Sequence, residues 1–206
     1  MAYYHELVTQ KSWEELQKLR KLADFVLIGG WATYLYTRGL KSKDIDVLVN
    51  YNQLPKLDKE YDLYKNERLK KYEAVKGEVQ IDIYLPHFSQ IGIPVETLVD
   101  KAKSVEGFGV LEINYLVALK IFALQQRGRS LKGRKDMLDI ISLIQLESFD
   151  YKKTRRILRS HKLEPSLKTL NEMLSETSQI QELNLNTHKF SKVKKEMLVG
   201  FDNFRK

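Results

Sequence analysis

Residues 44–49, Asp-Ile-Asp-Val-Leu-Val, alternate in a way that fits a β-strand and little else. Residues two apart on a strand share a face, so Asp44 and Asp46 stand together while Ile45 and Val47 turn to a core. Two adjacent carboxylates repel each other and raise each other's pKa unless a cation lies between them. The strand therefore offers one apolar side for burial and one acidic side to something positive. A later stretch, Val79-Gln80-Ile81-Asp82-Ile83-Tyr84-Leu85, repeats the pattern, with Asp82 on the polar side and Pro86 ending the run. If these two strands pair, Asp82 joins the acidic face.

Upstream, an apolar run, Phe25-Val26-Leu27-Ile28, reads as a buried strand broken by Gly29-Gly30, after which Trp31 to Arg38 can form a helix closed by Gly39. Glycine lets backbone approach a phosphate closely, and N–H groups at a helix start make an anion site. Oxygen ligands beside phosphates suit magnesium. Three carboxylates can hold two such ions ~3.5–4 Å apart, the arrangement used for in-line displacement at phosphorus. Asp82 is suited to accept the proton of an attacking hydroxyl.

The order strand, Gly-Gly, helix, Asp-x-Asp strand, third Asp resembles the nucleotidyltransferase superfamily typified by DNA polymerase beta. The likeness is carried by Ile28-Gly29-Gly30-Trp31-Ala32, then Ser42-Lys43-Asp44-Ile45-Asp46-Val47, then Gln80-Ile81-Asp82-Ile83, over roughly the first 85 residues. Ser42 stands where the pattern usually has Thr. A narrower stretch, Leu116 to Ala123 with Lys120, then Arg127, Arg134-Lys135-Asp136 and Asp139-Ile140, is similar to the AbiEii abortive-infection toxins. The resemblance implies transfer of a nucleotidyl group from NTP, ATP among them, to an acceptor such as tRNA or a protein, with two magnesium ions or manganese in their place. Asp44, Asp46 and Asp82 become the metal-binding catalytic residues. Gly29, Gly30 and Ser42 become nucleotide contacts, with Lys120 near the triphosphate and Arg134 or Lys135 near it or the acceptor. A cognate antitoxin is the implied protein partner.

Bland readings stand beside these. Lys120 can be a lysine snorkelling at a helix edge. The basic cluster Arg127, Arg129, Lys132, Arg134 and Lys135 can be a solvated loop. Asp136 and Asp139 can be charges at a helix start or partners for nearby Arg and Lys. Trp31 and Tyr34 suit core packing better than base stacking. Two other classes remain: a non-catalytic nucleotide- or RNA-binding or antitoxin-like module, and a HEPN-type ribonuclease using Arg156 and His161.

Ser12 and Glu15 have capping-box spacing, so a helix is expected to start at Ser12. Residues 54–66 are ambiguous, and 72–85 read as two strands around Lys76-Gly77. Pro94 opens a short helix through Ala102. Helices are expected at 115–127, 135–145, 151–160, 166–175 and 187–204. The expected class is α+β: a nucleotidyltransferase-type mixed sheet with flanking helices over residues 1–107, then a helical domain, 108–206, packed on it with the site between. The formal net charge of +8 over 206 residues favours polyanionic partners, and 43% hydrophobic residues can fill a core. Without cysteine there is no disulfide or thiolate metal site. No apolar run approaches the ~20 residues of a membrane span. A soluble, cytoplasmic protein with no membrane partner is the expectation.

Overall fold

The computed structural model describes residues 2–202. The chain divides into two compact units, Met1–Glu112 and Ile113–Lys206. The first contains α1 (Ala2–Leu22), β1 (Val26–Ile28), α2 (Gly29–Thr37), β2 (Ile45–Leu48), α3 (Leu54–Leu57), β3 (Asp62–Asn66), β4 (Lys71–Lys76), β5 (Val79–Tyr84), α4 (Val95–Leu98), β6 (Ala102–Val105) and β7 (Phe108–Leu111). Its strands form one seven-stranded sheet in the order β3-β4-β5-β2-β1-β7-β6. The β2–β5 and β1–β7 pairs are parallel and the others antiparallel, so the sheet is mixed.

Alternation dictates the layering. Leu27, Ile45, Val47, Ala74, Ile81 and Ile83 are wholly buried, while Asp46, Gln80, Asp82 and Tyr84 remain partly exposed. Each buried Ile, Leu or Val contributes roughly 1.5–3 kcal/mol. Helix α1 packs against β5, and α2 against β1 and β2. Trp31 is buried, its ring centroid 5.0 Å from Trp13 and 5.4 Å from Tyr34, and its indole N–H donates to Ser12 Oγ at 2.9 Å. Trp31 is thus a core residue.

That bond corrects one expectation. The first helix begins at Ala2 and runs through Ser12, which is a buried acceptor in mid-helix and not a cap. Glu15 likewise accepts from the Tyr61 hydroxyl at 2.9 Å instead of closing a capping box. Capping spacing is a local signal, and here burial of both side chains outweighs it. The short helix expected from Pro94 is present, as α4 and a 3-10 turn to Lys101, but the β6–β7 hairpin that follows it was not expected. Its turn, Glu106-Gly107, has positive φ at both positions (52° and 78°), as a type I′ hairpin turn requires. Helix α2 also starts earlier than expected, at Gly29, and ends on Arg38 in the left-handed region, not on Gly39.

The second unit holds α5 (Ile113–Arg127), α6 (Leu131–Ile144), α7 (Tyr151–Ser160), α8 (Leu167–Glu176) and α9 (Thr187–Asp202). The expected continuation of the last helix to Phe204 lies outside the described residues. Helix α5 is buried on most sides, with Leu116, Val117, Ala118, Ile121 and Leu124 inaccessible, and it packs against α6, α7 and α8. Caps begin its neighbours: Ser130 Oγ accepts from the Gly133 N–H at 3.1 Å, and Asp150 Oδ1 accepts from the Lys153 N–H at 3.1 Å. Asn114 Oδ1 ties α5 to α7 by accepting from the Asp150 N–H and the Thr154 hydroxyl. The class is α+β, a mixed sheet with flanking helices followed by a helical region, as the sequence indicates. Among the described residues no helix is long and apolar enough to cross a membrane.

Candidate active site

Strand register brings the acidic residues of the first unit into a row. Asp46 on β2 lies opposite Asp82 on β5, and Asp82 lies opposite Glu73 on β4. Opposed residues on neighbouring strands share a face and sit ~4.8 Å apart between strands. Asp46, Asp82 and Glu73 therefore stand side by side on the face opposite the apolar core. Asp44 precedes β2 by one residue and is half-buried. Ser42, in the loop before it, is buried.

The glycine turn meets this row at Asp46. Ile28, the last residue of β1, is opposite Asp46, so the chain enters α2 at that point. Gly29 has φ +66°, a conformation that side chains rarely adopt. A Cβ there would lie 2.1 Å from Asp46 Oδ2, so only glycine fits. Gly29 and Gly30 are the first two residues of α2, whose N-cap, Ile28, supplies no side-chain hydrogen bond. The Tyr84 hydroxyl donates to Asp46 Oδ1 at 3.4 Å from the other side.

Asp82 has company that the sequence reading did not foresee. Lys71, only 8% exposed, places its Nζ 2.6 Å from Asp82 Oδ2 and 3.0 Å from Glu73 Oε1. Gln80 Nε2 donates to Asp82 Oδ1 at 2.8 Å, and Asn66 Nδ2 donates to Glu73 Oε1 at 3.2 Å. The Lys71 hydrogen bond holds Glu73 below its ordinary pKa. Burial pulls the Lys71 pKa down, but the bonds to Asp82 and Glu73 raise it by more. Lys71 and Glu73 are two apart on a strand and share a face with Asp82, a signal that was present in the sequence.

The fit to a divalent ion is therefore divided. The donors are all oxygens, and the absence of a side chain at Gly29 lets the Asp46 carboxylate pack directly against the turn. Asp46 with Asp44 has the chemistry for magnesium. Among the described residues, however, no three of His, Asp and Glu are grouped as a metal ion would need, and Asp82 is bonded to an ammonium.

The basic residues singled out from sequence lie in the second unit. Lys120 on α5 is buried, with Nζ 3.1 Å from Asp136 Oδ1 and 2.6 Å from Asp139 Oδ2. Arg127 Nη1 reaches Asp136 Oδ2 at 2.8 Å. Both aspartates are 2% exposed, so they are buried partners of Lys and Arg, one of the two readings their sequence position allowed. Arg134 pairs with Glu182 at 2.8 Å, and Lys135 is half-buried on α6. Arg156 is exposed on α7, while His161 follows the helix and is pushed below its ordinary pKa by burial. Five positions along a helix separate two side chains by ~140°, so this pair does not share a helix face.

No protein-family model matches the sequence, and no curated protein matches it. Solved structures do resemble it. JHP933 from Helicobacter pylori, 13% identical, superposes with a TM-score of 0.55 over 95% of this chain and 92% of that chain. An antigenic nucleotidyltransferase-like protein from Paracoccidioides brasiliensis is 18% identical over 87% of this chain and 93% of its own, with a TM-score of 0.49. The Megavirus polyadenylate synthase is 12% identical over 69% of this chain and 31% of its own, with a TM-score of 0.47. At these identities the likeness is one of fold, and the Helicobacter pylori structure carries it.

Removing Lys120 leaves two buried carboxylates with one cation between them. Lys120→Met is expected to cost about 3–5 kcal/mol in urea unfolding. A variant as stable as the parent would show that Lys120 serves something other than this buried network.

Proposed function

We propose that the chain moves a nucleoside monophosphate from an NTP to an acceptor hydroxyl and releases pyrophosphate. The observation that carries this reading is the seat of Gly29 on the Asp46 carboxylate, at one end of the in-register Asp46–Asp82 pair. A glycine turn, a helix N-terminus and paired carboxylates at one point are what a phosphate and its counter-ions need. Asp44 and Asp46 would hold magnesium or manganese, and Asp82 would complete the set. A divalent ion held there would supply positive charge where the pyrophosphate leaves. Gly29 and Gly30 would bind phosphate oxygens through their N–H groups, and Ser42 would support the loop that presents Asp44. Asp82 would accept the proton of the attacking hydroxyl. The AbiEii likeness assigns Lys120 to the triphosphate and Arg134 or Lys135 to it or the acceptor; Lys120 and Arg134 have acidic partners within their own unit.

The basic charge favours a nucleic acid as the acceptor, tRNA among those the superfamily likeness implies. Residues 1–112 hold 16 Lys and Arg against 17 Asp and Glu, net −1, whereas residues 113–206 hold 19 against 10, net +9. The whole positive excess therefore belongs to the helical unit. Helix α7 carries Lys152, Lys153, Arg155, Arg156 and Arg159 with no acidic residue. A one-sided basic surface of this kind is the footprint of phosphate-backbone binding. A non-catalytic nucleotide- or RNA-binding role is the second reading, favoured by the Lys71 ammonium on Asp82.

Incubation with magnesium, each α-labelled NTP and total RNA is expected to label RNA. Asp46→Asn should lower the incorporation by ~100-fold or more, since a metal ligand is lost. No label from any NTP would favour the binding-module reading. RNA affinity should also fall steeply as salt rises, in proportion to the phosphates contacted. A salt-insensitive affinity would exclude a backbone-bound acceptor.

A further inference from the structure

Burying an ammonium costs several kcal/mol unless close anions offset it. Lys71 meets that condition with two, Asp82 at 2.6 Å and Glu73 at 3.0 Å. Those two stand in register with each other, and Asp82 with Asp46. Three carboxylates in a row at strand spacing would repel strongly and draw in divalent cations. Lys71 instead supplies a fixed positive charge at one end of the row, between Asp82 and Glu73. At the other end, the Asp46 carboxylate packs directly against the Gly29 turn.

We propose that Lys71 is a positioning residue, a resident counter-ion that withholds Asp82 from the divalent site. Without nucleotide, a divalent ion then binds through Asp44 and Asp46 alone. Asp82 joins only when Lys71 gives it up. A lysine ammonium has three N–H donors and can stay on Glu73 when Asp82 turns away. Glu73 is thus the second holder of the lysine, kept in place by Asn66. This inference rests on the proposed magnesium site, and the two can fail separately.

The test is a Mn2+ titration without nucleotide, followed by the electron paramagnetic resonance signal of the free ion. Wild type is expected to bind one ion. Lys71→Met should bind Mn2+ about tenfold more tightly or take a second ion, because an opposing charge beside Asp82 is gone. Asp82→Asn should match wild type within ~2-fold, because the lysine already occupies that carboxylate. An unchanged number and affinity in Lys71→Met, or a tenfold loss in Asp82→Asn, would overturn the proposal. If Lys71→Met does not fold, the Asp82→Asn comparison decides alone. Asp46→Asn should lose the ion whether or not Lys71 acts this way. Unchanged Mn2+ binding in that variant would overturn the magnesium site itself.

Discussion

The parallel pairing of β2 with β5 is the constraint on which the first unit's chemistry depends. It sets Asp46 beside Asp82 and, by the same register, Ile45 beside Ile81 and Val47 beside Ile83. A slip of one residue would turn every carboxylate into the core and every Ile and Val into solvent. Hydrophobic burial and the acidic face are therefore fixed by one choice. The same sheet brings β1 to an end against Asp46, so the glycine turn arrives there without any further device.

Charge is managed differently in the two units. On the sheet, Lys71 sits at the rim of a partly exposed acidic row and bonds two of its members. In the helical unit, Lys120 and Arg127 neutralise Asp136 and Asp139 in a closed, buried set. A fully matched buried network specifies how helices pack, and breaking one member leaves uncompensated charge. Lys71 is as buried as Lys120, but its carboxylate partners are partly open to water, so they can exchange it at lower cost. The first arrangement suits a site and the second suits a scaffold.

Much of this was legible in the sequence because strand alternation is a short-range signal. Asp44-Ile45-Asp46-Val47 and Gln80-Ile81-Asp82-Ile83 announced both faces, and residues 151–160 matched a helix at both ends. What the sequence concealed depended on partners far along the chain. Ser12 looked like a cap until Trp31, distant in sequence, proved to be its donor. The β6–β7 hairpin turns on Glu106-Gly107, whose left-handed first residue is not a usual hairpin signature. The Lys71-x-Glu73 spacing is legible in the sequence, but its bond to Asp82 depends on β4 lying beside β5. Lys120 read equally as a ligand contact and as a snorkelling lysine, and its pairing with Asp136 and Asp139 needed α5 against α6.

The most direct test of the account is where a divalent ion settles on the folded chain. In a two-dimensional amide NMR spectrum, sub-stoichiometric Mn2+ should first broaden the signals of Gly29, Gly30 and residues 44–46. Signals from the helical unit's exposed acidic residues, such as Glu147 and Glu176, should stay sharp. Broadening that begins at those residues, or spreads evenly over exposed carboxylates, would show that the face beside Gly29 holds no cation.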